Sequence, residues 1–574
     1  AGFEIRTNRL CRRVLMFHRF AELGNEPYLV RSLNLAYESS SKDTPQKSEV
    51  TYLKSITQTG YIRKPDNTYS GKSLPPMEFE YQQLNWSREI KSVSKENIVN
   101  APVGLTNNYQ WVDLYGEGIS GILTEQGEGW FYKSNLGDVD EDGDVRFTAA
   151  KEVIPRPSFA GLATGALSIQ DLDANGKKQV VVNSPGLQGY FELTEDNDWE
   201  NFKAIEEIAN INLQDPNVRL IDLNGDGQPE LVVSEDNVFV WYASKGKKGY
   251  DAPALAAKPF DEEKGPAIVF ADQLQTIFLA DMSGDGMTDI ARIRNGEICY
   301  WPNMGYGRFG SKVSMYNAPH FDHPDSFNPQ YLHLADVSGT GATDILYLGK
   351  NRFNAYINMS GNSWSDVHEI DPSFHIDSNT QLSVIDLLGS GTSCIVWSSD
   401  LPGYAEAPMR YIDLMSSKKP HVLRKHVNNL GKETTVEYKS STHFYIADKL
   451  AGKPWITRLP FPVQVVSKSI VEEKITDVRF ASEYRYHHGY YDHPEREFRG
   501  FGMVEQIDSE HYENWKTSNV GTQLEMSEEL YQKPVMTRTW YHTGAFLDRE
   551  RILTQFKDEY WHEEYNRRFP DTPL

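Results

Sequence analysis

The chain has 574 residues, 12% of them aromatic, with 42 glycines and a formal net charge of −23. That length exceeds one ordinary domain, and so acidic a surface repels phosphate backbones, which excludes general nucleic-acid binding. Three scattered cysteines, Cys11, Cys299 and Cys394, exclude a disulfide framework and a structural zinc site and fit folding in a reducing cytosol. No run approaches the roughly 18 apolar residues of a membrane-spanning helix, so direct membrane insertion is not expected.

The first element is a β-sheet shell segment over residues 1–95, with strand patterns at 28–35 and 76–81 and a basic excess of charge. Its opening residues lack the basic-then-apolar pattern of a signal peptide. Val14, Leu15, Met16 and Phe17 read as folded interior, so the expectation is a piece of a longer chain. Arg12, Arg13, His18 and Arg19 form a small basic cluster, expected to pair with acidic strands rather than to hold a phosphate.

Residues 96–415 carry a repeat. An alternating apolar strand ends in Asp, and a Gly follows five residues later. The copies are DLYGEG at Asp113, DLDANG at Asp171, DLNGDG at Asp222, DMSGDG at Asp281, DVSGTG at Asp336 and DLLGSG at Asp386. Their intervals of roughly 50–60 residues suit a four-stranded propeller blade. Each turn is followed by a second apolar strand and then by a ring-rich third one, such as Phe239, Val240, Trp241 and Tyr242. Large rings at regular positions fill the wedge between blades. The predicted fold is all-β: a six-bladed propeller with repeats of the FG-GAP kind.

Residues 416–574 form a second β-sheet shell segment, with strands at 433–438, 463–466 and 481–486 and a mixed, partly helical stretch over 520–565. Neither flank has a self-contained core pattern. Such strands are expected to be stable only within a larger sheet.

Oxygen-bearing side chains at turn positions one, three, five and nine are what a calcium loop needs. The third turn offers Asp222, Asn224, Asp226 and Glu230; the fourth offers Asp281, Ser283, Asp285 and Asp289 with the Met287 carbonyl. Calcium is therefore a candidate cofactor at these two turns. The competing reading is that the first Asp caps its own turn by accepting backbone N–H bonds. Asp138, Asp140, Asp142 and Asp144 form another acidic loop, read as a solvated tip.

His487, His488, Asp492 and His493 are the densest set of metal-ligand types, but neighbouring strand residues face opposite sides, which argues against one shared metal. The alternating charges from Glu495 to Arg499 read as a salt-bridged strand end. No nucleophile elbow, phosphate loop or dinucleotide fingerprint occurs, so no catalytic residue is assigned.

Four segments are long and unusual: AGFEIRTNRLCRRVLMFHRF, FLADMSGDGMTDIARIRNGEICYWPNMGYGRFG, KPWITRLPFPVQVV and YHHGYYDHPEREFRGFGMVEQ. They resemble the middle region of the B component of bacterial Tc (toxin complex) insecticidal toxins, related to the Salmonella virulence-plasmid B proteins. The resemblance covers about residues 1–510. It implies a non-enzymatic delivery subunit. In that family the B component and a C component build a hollow Rhs-type β-sheet cocoon around a toxin. The propeller closes one end, docks on a pentameric pore-forming A component, and opens a gate. It also implies synthesis in a bacterial cytoplasm and release within a toxin complex. Two other readings follow from the residues alone: a calcium-dependent, integrin-like recognition propeller, and an enzyme using a propeller's central pocket.

Overall fold

The computed structural model describes residues 9–560, apart from 25, 39–49, 100–108, 128, 138–143, 154–166, 185–186, 195–198, 273, 350–351, 371–379, 400, 477, 509–532 and 547. Six four-stranded antiparallel sheets and one 11-stranded sheet hold nearly all of its strands. The six small sheets are the blades of the expected propeller. Their inner strands, Tyr109–Val112, Leu167–Gln170, Val218–Ile221, Ile277–Ala280, Leu332–Ala335 and Gln381–Ile385, are the apolar runs that lead into the six repeat aspartates.

The fourth blade shows why the pattern folds this way. Its strands are Ile277–Ala280, Asp289–Arg294, Glu297–Trp301 and Val313–Ser314. Successive side chains on a strand point to opposite faces, and here both faces are covered. Trp301 packs toward the third blade, among Leu223, Val232 and Phe239, while Tyr300 packs toward the fifth, among Leu332, Ile345 and Tyr356. Trp130, Trp301 and Trp397 are fully buried. Each removes enough apolar surface from water to contribute about 3 kcal/mol or more.

The sixth blade takes its outermost strand from before the first. Ile90–Ser92 pairs antiparallel with Met409–Asp413, so the ring is closed by hydrogen bonds between chain-distant strands. Leu84 and Trp86 pack into the seam between the fifth and sixth blades. Residues 84–92 therefore lie with the propeller in space, although sequence reading places them in the 1–95 flank. A three-residue strand is too short to show a period.

The large sheet runs from edge strand Arg13–His18 to edge strand Val535–Trp540. Within it Met77–Tyr81 pairs directly with Leu423–Val427, so the propeller is an insertion between two adjacent strands. Helix α1 (Ser441–Leu450) is capped by the Ser440 hydroxyl, which accepts from the Thr442 N–H. It packs Phe444 onto the sheet beside Trp455, Leu459, Val465 and Phe501. Helix α2 (Arg549–Glu559) sets Phe556 against His488. Contrary to the expectation from sequence, Val14, Leu15, Met16 and Phe17 are not interior: they lie on the edge strand and are 46–51% exposed.

Candidate functional site

The six Asp–Gly turns all follow inner strands that run the same way, so they gather at one end of the propeller. In each, the Asp carboxylate accepts backbone N–H bonds from its own loop. Asp113 takes those of Glu117 and Gly118, both at 2.8 Å. Asp171 takes those of Asn175 and Gly176, Asp336 those of Thr340 and Gly341, and Asp386 those of Ser390 and Gly391. Asp222 binds Gly225 at 2.7 Å and Gly227 at 2.9 Å; Asp281 binds Gly284, Asp285 and Gly286. The glycine five residues on has a φ of 84° in the third and fourth turns, where a side chain is strained.

The ninth position folds inward. Glu230 is buried and accepts from the Leu223 N–H at 2.7 Å and the Asn224 amide at 3.0 Å. Asp289 is likewise buried and accepts from Met282 at 3.0 Å and Asn303 at 2.9 Å. Burial raises both carboxyls to about 7, against their backbone hydrogen bonds; burial also raises Asp113 and Asp386, to about 6. Asp226 accepts from Gln228 and Asn224, Asp285 from Met287, and Ser283 donates to Asp281 at 3.5 Å. The residues read as calcium ligands thus hydrogen-bond within their own turns, the carboxylates as acceptors, Ser283 as a donor and Asn224 as both. Among the described residues no three His, Cys, Asp or Glu side chains are grouped to hold a metal ion. Of the other acidic loop, positions 138, 140 and 142 lie outside the described residues. Asp144 accepts from Ser94 and Asn97.

The turn end of the ring is covered by the chain's own second flank. At the first turn, buried Glu117 accepts from the Tyr445 hydroxyl at 2.9 Å and pairs with Lys449 at 2.5 Å, both on α1. At the sixth, Thr442 donates to the Gly389 carbonyl, and Gln464 to the Ser390 carbonyl at 2.6 Å. His493 lies against Gly176 of the second turn, so close that an added Cβ would collide, and Lys419 lies beside Gly339 of the fifth. Arg496, at a hairpin tip with φ 52°, donates to the Gly225 carbonyl at 2.7 Å and the Gly286 carbonyl at 3.2 Å. One guanidinium thereby joins the third and fourth blades to the flank. The spread of its donors suits two separate carbonyls as a lysine's would not.

Sequence reading singled out His487, His488, Asp492 and His493, and the structure separates them. His487 sits 2.6 Å from Asp448 and 3.9 Å from Glu505. Burial opposes its charge, but the carboxylates outweigh burial and raise it to about 9. Glu505 falls to about 2, held down by His487 and Arg538 against burial. His488 faces Glu559 of α2 at 3.1 Å, and His493 turns to the Tyr491 carbonyl. Arg499 pairs with Asp492 and Glu497, as expected of a salt-bridged strand end, whereas Arg496 leaves it for the propeller. Sequence reasoning missed Glu117, Thr442, Tyr445 and Arg496 as cover contacts, because each partner lies hundreds of residues away or in a separate element.

A family model for the middle, N-terminal region of the insecticide toxin TcdB matches residues 370–544, and one for the Salmonella virulence plasmid 65 kDa B protein matches residues 1–20. Comparison with curated proteins gave no match. Among solved structures, a chain of the Photorhabdus luminescens Tc holotoxin pore, with a mutation in TccC3, is 28% identical over 98% of this chain and 24% of that one, with a TM-score of 0.79. Crystal structures of TcdB2–TccC3–Cdc42 and of TcdB2–TccC3 without its hypervariable C-terminal region match at 27% and 26% identity, each over 98% of this chain and 25% of theirs, with TM-scores of 0.67 and 0.66. This chain spans about a quarter of the length of those it matches. Along nearly its whole length, propeller and flanking sheet together, the chain is similar in sequence and in fold to the B component of Tc toxins.

Proposed function

We propose that the chain is the gate-bearing part of a non-enzymatic toxin-delivery subunit. The similarity to Tc toxin chains over 98% of its length carries this reading. In it, the flanking sheet contributes wall to a cocoon shared with a C component, and the propeller docks on a pore-forming A component. The covered turn face supports a direction for docking. It leaves the opposite end, with the connections between second and third strands and between blades, to meet the pore subunit. The inner strands then frame the passage for an unfolded toxin released from the cocoon. No helix of the described residues is long and apolar enough to cross a membrane, and in this reading the A component makes the crossing. The complex is made in the bacterial cytoplasm and released.

The test is binding of the purified chain to candidate A-type pore subunits, by light scattering and then electron microscopy. The expected result is a ring seated on the propeller end away from the turns. Absence of a complex at micromolar concentrations, with the chain folded, would count against the reading; a complex seated on the turn face would overturn its geometry.

A further inference from the structure

The six seams between blades are not alike. Five are filled by one apolar cluster shared by both blades. Tyr109 and Ile122 meet Val396 and Tyr411 at the seam of blades six and one, and Trp130 meets Val180 and Phe191 at that of one and two. The seams of three and four, four and five, and five and six are filled in the same way. Between blades two and three, among the described residues, the apolar side chains form two separate clusters. Leu172, Val181, Tyr190 and Ile205 stay with the second blade; Ala209, Val218 and Leu231 stay with the third. A cavity of about 250 Å³ lies between them, lined by Ser168, Gln170 and Asn183 on one side and Val218, Leu220 and Leu231 on the other.

A second feature marks the same seam. Just beyond the third strand of a blade, one position reaches toward the preceding blade. In blades one, four and five it is asparagine: Asn135 donates to the Leu387 carbonyl, Asn303 to that of Asp222 and Asn358 to that of Met282. In blades two and six it is Leu193 or Leu414, each inside a shared apolar cluster. In the third blade it is Ser244, whose bonds go to Gln228 and Gly246 of its own blade. What crosses this seam is polar: backbone hydrogen bonds join Glu207 to Lys248 and Tyr250, the Lys247 N–H donates to Asp173 at 3.0 Å, and ion pairs add to them. Lys247 of the third blade pairs with Asp173 at 2.7 Å and Glu192 at 2.5 Å, and Lys245 with Glu207 at 2.8 Å. Partly exposed ion pairs hold less firmly than a shared core and weaken as salt screens them.

We infer that the propeller ring opens at the seam between its second and third blades, with Lys247 as the fastening. Its role in toxin passage rests on the gate reading above; the seam's weakness does not. An opening here would draw the two inner strands away from each other without breaking any shared core.

Hydrogen exchange on the full chain tests this without a partner. Amides of Leu167–Gln170 and Val218–Ile221 are expected to exchange about tenfold or more faster than those of Leu332–Ala335 and Gln381–Ile385, and faster still at high salt. Lys247→Met should accelerate the same two strands and no others. A disulfide between Asp173→Cys and Lys247→Cys should slow them. Equal protection at all seams, first opening at another seam, or insensitivity to salt would overturn the inference. The wild-type comparison needs no variant to fold. Failure to bind any pore subunit would sink the delivery reading while leaving this contrast in exchange intact.

Discussion

Propeller and flanking sheet use the same kinds of residue and dispose of them differently. In the fourth blade Ile293, Tyr300 and Trp301 are completely covered, because a sheet stands on either face. In the flank, Phe17 is 51%, Phe480 65% and Ile62 71% exposed. Its strands have cover from α1, from the segment around Trp455, and from the propeller's turn face. A blade carries its core with it; the sheet draws its stability from what lies against it. The turns are where the two regimes meet.

The largest effect should come from cutting a shared core. Trp301→Ala removes a side chain packed across two blades and is expected to cost about 3–5 kcal/mol in urea unfolding, whereas Phe480→Ala should stay within about 0.5 kcal/mol. Equal losses would dissolve the distinction between the regions. Next comes the ionic centre of the flank. His487 is raised in the folded state, so its contribution is full below pH 6.5 and is lost as pH climbs through about 9. Glu505 is depressed, so its contribution is present above 4.5 and is lost as pH falls toward about 2. A His487→Asn variant should flatten the alkaline limb of the stability–pH curve and leave unfolding of the blades unmoved. Arg496→Ala, which frees two turn carbonyls, should cost about 1–2 kcal/mol and raise protease sensitivity at the hairpin tip; a silent variant would mean that the flank is held from the α1 side. The smallest effect belongs to chelation. Because the turn carboxylates already bond their own loops, the melting midpoint should move by less than about 1 °C on adding a calcium chelator, and a larger fall would restore calcium to Asp222 and Asp281.

Much of the propeller was legible because its information is local and repeated. The strand, Asp, turn and ring-rich strand recur within a short stretch, so Asp281 and Trp301 could be placed from sequence alone. The calcium reading takes the ninth position as a ligand from its residue type alone. Glu230 and Asp289 have the right chemistry for a ligand, and only the fold shows them buried and bonded to backbone. The outer strand at Ile90–Ser92 was hidden by its length. The cover was hidden by distance: Arg496 and Gly225 lie 271 positions apart, and nothing in a charged hairpin tip announces a pair of carbonyls across the molecule. Val14 to Phe17 misled because an apolar strand looks the same whether it is buried or left at a sheet's edge.

The strand that closes the ring has a consequence for synthesis. A ribosome delivers Ile90–Ser92 long before Met409–Asp413, its hydrogen-bonding neighbour. Until then the nascent chain holds an unmatched backbone edge, and every blade between must be made before the circle joins. Contacts so remote along the chain form slowly, because the entropy of closing so long a loop must be met first. Closure of the circle should therefore be the last and slowest step in forming the propeller, and a chain stalled before Arg410 should be a ready substrate for chaperones.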